Sequence, residues 1–244
     1  MKKSALLLLL ILFSLCGCSS LRPAGLAEGT FISYATQSGQ FSYDSPQKNS
    51  VFTSALLTYL SSDDDVQVMT RNVSQKVFTD TKGLQHPVSY SNLDGSLKLS
   101  QIRSAGMSAH ALIIGNSAYL SSLNLMSSVS DAESVSAALK GLGFEVTQVL
   151  NSKLSDSREA FNEFKKGAAR ADIVVVFYSG LGIQIQGEDF IVPVDVTLDG
   201  LTDKNFPIQT ISWKNTIELL PNKTKVIFID ANRTNPFTPQ VKTR

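Results

Sequence analysis

The chain has 244 residues, 22 Lys+Arg against 21 Asp+Glu, and 43% hydrophobic residues. That balance carries no basic patch or stripe, so nucleic acid is not an expected partner, and the length suits one large α/β domain. Only 2 cysteines occur, Cys16 and Cys18, and loss of the first with a leader would exclude both an internal disulfide and a Cys/His zinc site.

Lys2 and Lys3 precede an unbroken apolar run from Ala5 to Phe13, and Leu15-Cys16-Gly17-Cys18 follows. A basic start, a short apolar core and a small residue before the cleavage point make a secretory signal. The run is too short to span a bilayer, which takes about 20 residues. Leu-x-Gly-Cys resembles the lipobox of bacterial lipoproteins, which implies a signal peptide over 1–17 and lipid attachment at Cys18. Several acyl chains on one cysteine give stable anchoring. Ser19 is not Asp, which by the sorting pattern of Gram-negative lipoproteins implies the outer membrane, facing the periplasm. Loss of Lys2 and Lys3 leaves 20 basic against 21 acidic residues, close to neutral.

Residues 18–29 read as a tether, with Pro23 and Gly25. Residues 30–36 are rich in β-branched and aromatic side chains and predict a strand. Polar residues 37–50 form a loop. Residues 51–60 carry Phe52, Ala55, Leu56 and Tyr59 at helical spacing, and Val66, Met69, Val73 and Val77 share one face of a second helix. Asp63, Asp64 and Asp65 stand before it as N-cap and first-turn charge. Three adjacent carboxylates do not converge as spaced calcium ligands do, and no metal or cofactor is expected. Residues 85–93 predict a short strand, with Pro87 marking a sheet edge. Residues 99–109 are polar and small and read as a linker.

Strand and helix then alternate. Ala111 to Ile114 is an apolar strand, and a helix begins near Asp131 with Val135, Ala138, Leu139 and Leu142 on one face. Residues 144–150 form a strand. Residues 155–170 are helical, with Phe161, Phe164 and Ala168 inward. Ile173 to Tyr178 is a continuous apolar run, as in a strand covered on both faces. Trp213 to Leu220 is a helix and Lys225 to Asp230 a last strand. Alternation of this kind implies a mostly parallel sheet between two helical layers.

Four motifs are more specific. Ala111-Leu112-Ile113-Ile114-Gly115-Asn116-Ser117-Ala118-Tyr119 with Asp131-Ala132, Phe177-Tyr178-Ser179-Gly180-Leu181-Gly182, Phe190-Ile191-Val192-Pro193-Val194-Asp195, and Phe228-Ile229-Asp230-Ala231-Asn232-Arg233 with Asn235-Pro236-Phe237 resemble bacterial caspase-like and metacaspase domains in order and spacing. Gly29-Thr30-Phe31-Ile32-Ser33-Tyr34-Ala35-Thr36 and Asn49-Ser50-Val51-Phe52-Thr53-Ser54-Ala55-Leu56-Leu57 resemble the small-subunit half of the same family. The resemblance implies a three-layer α/β/α caspase-like sandwich with a six-stranded sheet of order 2-1-3-4-5-6 and an antiparallel edge strand. In the family the small-subunit half follows the nucleophile motif, whereas here residues 30–98 precede 110–237. The implied arrangement is therefore a circular permutation, with 99–109 joining the halves and 238–244 as a tail.

The family's catalytic histidine falls on Leu181 and its nucleophilic cysteine on Asn232. Leucine moves no proton and a carboxamide is a poor nucleophile, so no catalytic residue is expected. His86 and His110 are the 2 histidines of the chain and both lie outside the motif positions. Asp230 matches the acid that helps the family bind a basic side chain, and Ser33 and Thr36 border the same groove. The expected protein is a pseudo-peptidase lipoprotein that binds or scaffolds, with an extended peptide as candidate ligand and a dimer through edge strand 85–93 as a further possibility. The alternatives are a remnant peptidase needing a catalytic partner, or an enzyme of another class using the same cleft.

Overall fold

The computed structural model describes residues 28–45, 48–120, 125–202, 204–222 and 224–237. The expected signal peptide, Cys18, most of the tether and the tail lie outside the described residues.

The elements run β1 (Gly29–Tyr34), α1 (Val51–Tyr59), α2 (Val66–Asp80), β2 (Val88–Ser91), β3 (Ala109–Gly115), α3 (Ser128–Leu142), β4 (Glu145–Leu150), α4 (Leu154–Gly167), β5 (Ile173–Gly180), β6 (Gly182–Ile185), β7 (Glu188–Ile191), α5 (Phe206–Gln209), β8 (Ile211–Ser212), α6 (Trp213–Glu218) and β9 (Thr224–Ala231). Six strands form one sheet in the order β2-β1-β9-β5-β3-β4. Read from β4, this is the expected 2-1-3-4-5-6 order. Every pairing is parallel except β1 with β2.

The apolar runs make this sheet a middle layer. Side chains alternate across a strand, so an unbroken run supplies both faces. On one side Val175, Phe177, Val226 and Phe228 pack with Phe52, Leu56, Met69, Val73, Val77, Val135 and Leu139 of α1, α2 and α3. On the other, Val174, Val176, Tyr178, Ile227 and Ile229 meet Phe161 and Phe164 of α4 and Trp213 and Ile217 of α6. β1 lies beside β9, pairing Gly29 with Thr224 through Tyr34 with Ile229, so the first third of the chain completes the sheet of the remainder.

Caps set the helix ends. Asp65 caps α2 by accepting the Gln67 N–H at 2.9 Å, and it also accepts the Leu97 N–H at 2.7 Å. α3 starts at Ser128, three residues ahead of the sequence expectation, because Ser117 Oγ accepts the Val129 N–H at 3.1 Å from outside the helix. Gly115 lets that helix end sit on β3: a Cβ there would lie 2.6 Å from the Ser128 carbonyl oxygen and from the Ala132 Cβ.

Two expectations are corrected and one element is added. The edge strand is Val88–Ser91 rather than 85–93, since Gln85 turns inward and Asn92 Oδ1 takes the Thr30 N–H at 2.6 Å in place of a ladder bond. The linker 99–109 is not simply polar: it opens with a 3-10 turn, and Leu99 and Ile102 are buried in the core. Residues 182–212 add a small antiparallel sheet, β6-β7-β8, that periodicity did not reveal. It packs over Leu181, Ile183, Phe190, Val192 and Leu201 as a third apolar cluster.

Candidate functional site

β5 and β9 are neighbours and pair as far as Gly180 with Ala231, so Leu181 and Asn232 emerge together at the C-terminal edge of the sheet. Crevices beyond the carboxyl ends of strands are where α/β sheets hold ligands. Leu181 turns into the third apolar cluster and is buried. Its N–H donates to Tyr119 Oη at 2.6 Å and its carbonyl accepts the Tyr178 hydroxyl at 2.8 Å. Burial pushes the Tyr119 phenol up to about 12, so it stays neutral and serves as a hydrogen-bonding post. Gly180 is required beside it: a Cβ would stand 2.6 Å from Tyr178 Oη and 2.8 Å from Tyr119 Oη. Asn232 is half-buried, and its Oδ1 accepts the Ser42 N–H at 2.8 Å.

Beside Asn232 is an acidic cleft lined by Ser42, Tyr43, Asp44, Ser50, Ser127, Ser179, Asp230 and Asn232, among others. Asp230, at the end of β9, is 5% exposed. One of its oxygens accepts the Ser42 hydroxyl at 2.8 Å; the other accepts the hydroxyls of Ser50 and of Thr53, the latter at 2.7 Å. Ser50 therefore does two jobs, since its Oγ also caps α1 by accepting the Thr53 N–H at 2.9 Å. Behind these hydroxyls lies Asp131 of α3, 0% exposed, accepting the Ser50 N–H at 2.9 Å and the Ser179 hydroxyl at 3.0 Å. Asp44, on the loop above, accepts the Ser127 hydroxyl.

Among the described residues, none that lines the cleft is Lys, Arg or His. Burial and the nearby Asp230 charge push the Asp131 carboxyl up to about 8. Burial likewise raises Asp230, against the lowering effect of its hydroxyl donors. Removing a carboxylate from water without a counter-charge disfavours ionisation. The arrangement is thus a desolvated acid pair fronted by serine hydroxyls.

Of the residues expected to bind ligand, Asp230 reaches the cleft and Ser33 and Thr36 do not line it. Ser33 lies on the β1 face that also bears Phe31 and Ala35 and accepts the Ser89 hydroxyl at 3.0 Å. Thr36 is buried, and its carbonyl accepts an Arg233 N–H at 3.4 Å. Ser33 sits in β1 and Thr36 just after it, and the loop that follows supplies Ser42 and Asp44 in their stead. Sequence reasoning also missed Gln85. Its amide, buried, accepts the Tyr43 N–H at 3.1 Å and donates to the Ala35 carbonyl at 2.9 Å, fixing the loop. Arg233 anchors the other flank: Nε and Nη2 donate to the two oxygens of Asp189 at 3.0 and 3.1 Å. Its guanidinium stacks 3.8 Å over the Tyr34 ring.

The two histidines are occupied elsewhere. His110 lies at the N-terminal end of β3, level with Val174, and stands 3.5 Å from Glu145. At about 3.3 Å per residue the opposite end of the sheet is on the order of 20 Å away. His86 packs edge-on against Phe78 with ring centroids 4.9 Å apart.

A sequence model of the caspase domain matches residues 20–98 and 108–244. Among solved structures, protein GSU0716 from Geobacter sulfurreducens is similar at 19% identity with a TM-score of 0.40, over 52% of this chain. The match also covers 52% of that protein, so the chain spans about half its length. No curated protein matches.

Proposed function

The chain belongs to the caspase-domain family, and from that membership we propose that it binds peptides through the acidic cleft without cutting them. Peptide cleavage in this family takes a thiolate and a proton-shuttling histidine. The positions that resemble theirs hold Asn232 and Leu181, the first tied to the Ser42 N–H and the second packed among apolar side chains. The observation that carries the reading is the juxtaposition of those two positions with a buried acid pair that has no cationic partner among the described residues. A lysine or arginine side chain of an extended peptide supplies the missing charge. The loop that frames the cleft offers a route for backbone pairing of the peptide, because the Phe41 N–H and C=O meet no partner among the described residues.

The test is a pair of measurements on the purified protein. A fluorescent peptide with a central arginine should bind at least about tenfold more tightly than its glutamine counterpart, and fluorogenic Arg, Lys and Asp peptides should show no turnover with thiol reductant and calcium present. Turnover abolished by Asn232→Ala, or equal binding of the two peptides, would overturn the reading.

The proposal includes the place and the chain order. The leader and Gly17-Cys18 support a lipid-anchored protein of the cell envelope, in a Gram-negative cell one held at the outer membrane and facing the periplasm. Cys18→Ser should then move it from the membrane to the soluble fraction; unchanged retention refutes the anchor. A circular permutation is supported by the split family match and by β1 sitting between β2 and β9.

A further inference from the structure

The two outer edges of the six-stranded sheet are built differently. β2, at one end, has 4 residues, follows Pro87 and carries Ser89 and Ser91. β4, at the other end, has 6. Proteins blunt free strand edges with proline, lysine, bulges or brevity, because a row of unpaired N–H and C=O groups is a template for another strand. β4 has none of these devices. It reads Glu145-Val146-Thr147-Gln148-Val149-Leu150 and keeps one register with β3 throughout. Asn151, just beyond it, donates its N–H to the Gly115 carbonyl at 2.8 Å. By the alternation of a strand, Thr147 and Val149 turn their backbone groups the same way, toward β3. Val146, Gln148 and Leu150 turn theirs outward, where they meet no partner among the described residues. The strand is fixed at its other end too, since the Phe144 N–H donates to the Leu139 carbonyl at 3.1 Å. Gln148 is exposed and Leu150 is 37% exposed. Val146 and Val149 are half-buried, the first packed against the core layer of α3 and the second against that of α4.

We propose that β4 pairs with β4 of a second copy across a two-fold axis, joining two sheets into one. The sequence of the edge commits the occupant. Two-fold symmetry makes the added strand antiparallel and the contact self-complementary. In an antiparallel pair, residues whose backbone groups point outward stand opposite one another, and each such pair exchanges two hydrogen bonds. The register that uses all the free groups sets Gln148 against the partner's Gln148 and Val146 against the partner's Leu150. The side chains then match. Val146 and the partner's Leu150 form an apolar pair on the α3 side of the sheet. Thr147 and the partner's Val149 form a β-branched pair on the α4 side. The Gln148 amide can bond to its own copy. Glu145 falls opposite the partner's Asn151, so no like charges are opposed. Directly opposed pairs of these kinds are the unit of sheet stabilisation. A shift of register by two residues breaks both Val–Leu pairs. Because the edge is already held at both ends, pairing orders little that was free. The cleft beside Asp230 lies beyond β4 and β3 from this seam, so it stays open in each copy.

Crosslinking and mass test it on the full chain extracted in detergent. Opposed residues of a hydrogen-bonded antiparallel pair have Cα atoms about 5.5 Å apart, within reach of a disulfide. Under mild oxidation Gln148→Cys should therefore give a reductant-sensitive dimer as its main product. Ser91→Cys, on the opposite edge of the sheet, should give no more dimer than the natural chain with its own Cys16 and Cys18. Gln148→Lys changes one exposed side chain and sets two like charges at the two-fold axis. By light scattering the natural chain should have about twice the mass of Gln148→Lys, with the same far-ultraviolet circular dichroism, so that loss of folding does not explain the difference. A natural chain that is monomeric, or a dimer that survives Gln148→Lys, overturns the proposal. Crosslinking through Ser91→Cys in place of Gln148→Cys also overturns it, and assigns the seam to β2.

Discussion

Asp131 is where the chemistry of single residues has the largest consequence. Its carboxyl is pushed up to about 8 by burial and by Asp230, whereas in the unfolded chain an aspartate titrates near pH 3.9. Between those values the folded protein holds a proton that the unfolded chain has released. Stability therefore falls as pH rises from about 4 to about 8, by up to roughly 1.4 kcal/mol per pH unit for one such proton. The expected outcome for Asp131→Asn, which keeps an oxygen for the Ser50 N–H, is a flatter profile, with the variant at least as stable as the natural protein at pH 8. Urea denaturation midpoints at several pH values check this, and parallel profiles would refute it. The same proton opposes a cationic ligand, so basic peptides should bind more tightly as pH rises through the same window. Asp230 was legible in the sequence through its motif. Its partners were not, because Ser42 and Ser50 lie 188 and 180 residues from it along the chain, and nothing local marks one serine among many. Asp131 stood inside a recognised motif, but only the fold shows that it backs Asp230.

Elements were legible to the degree that burial writes itself into local pattern. Val226, Ile227 and Phe228 are 0% exposed, and a run with no polar alternation follows directly from covering both faces of the strand. α2 was equally plain, since Val66, Met69, Val73 and Val77 mark one stripe and Asp65 caps it. The small sheet was hidden because β8 has 2 residues and β6 and β7 have 4 each, too short for a period to show. The crossover was misread for the opposite reason. Its three buried side chains, Leu97, Leu99 and Ile102, sit among polar neighbours at no repeating interval. Arg103 then donates to the Lys140 carbonyl at 3.2 Å, tying the crossover to the end of α3. The connection from β2 to β3 passes four strand positions, on the order of 19 Å, and uses that distance to extend the core.

At the scale of the molecule the question is whether either half can stand without the other. Residues 110–237 end their sheet at β9, whose free edge β1 occupies with six paired residues. Remove β1 and a strand of Val, Ile and Phe becomes an exposed apolar edge, a template for aggregation. Residues 28–98 have the reverse deficit: two helices and two strands too few to enclose a core, since short chains bury too small a share of their surface. Phe31, Phe52 and Leu56 share one cluster with Ile113, Val175 and Phe228, so the core belongs to both halves at once. A protease site inserted at residues 103–106, all exposed, separates these contributions. The nicked protein should stay together in size-exclusion chromatography, and its unfolding midpoint should become concentration-dependent, as for any two-chain complex. After separation in denaturant, neither fragment should refold cooperatively alone, and mixing should restore the near-ultraviolet circular dichroism of the intact protein. Cooperative unfolding of the isolated 107–244 fragment would refute the shared core and, with it, the dependence of the Asp230 cleft on the loop that carries Ser42 and Asp44.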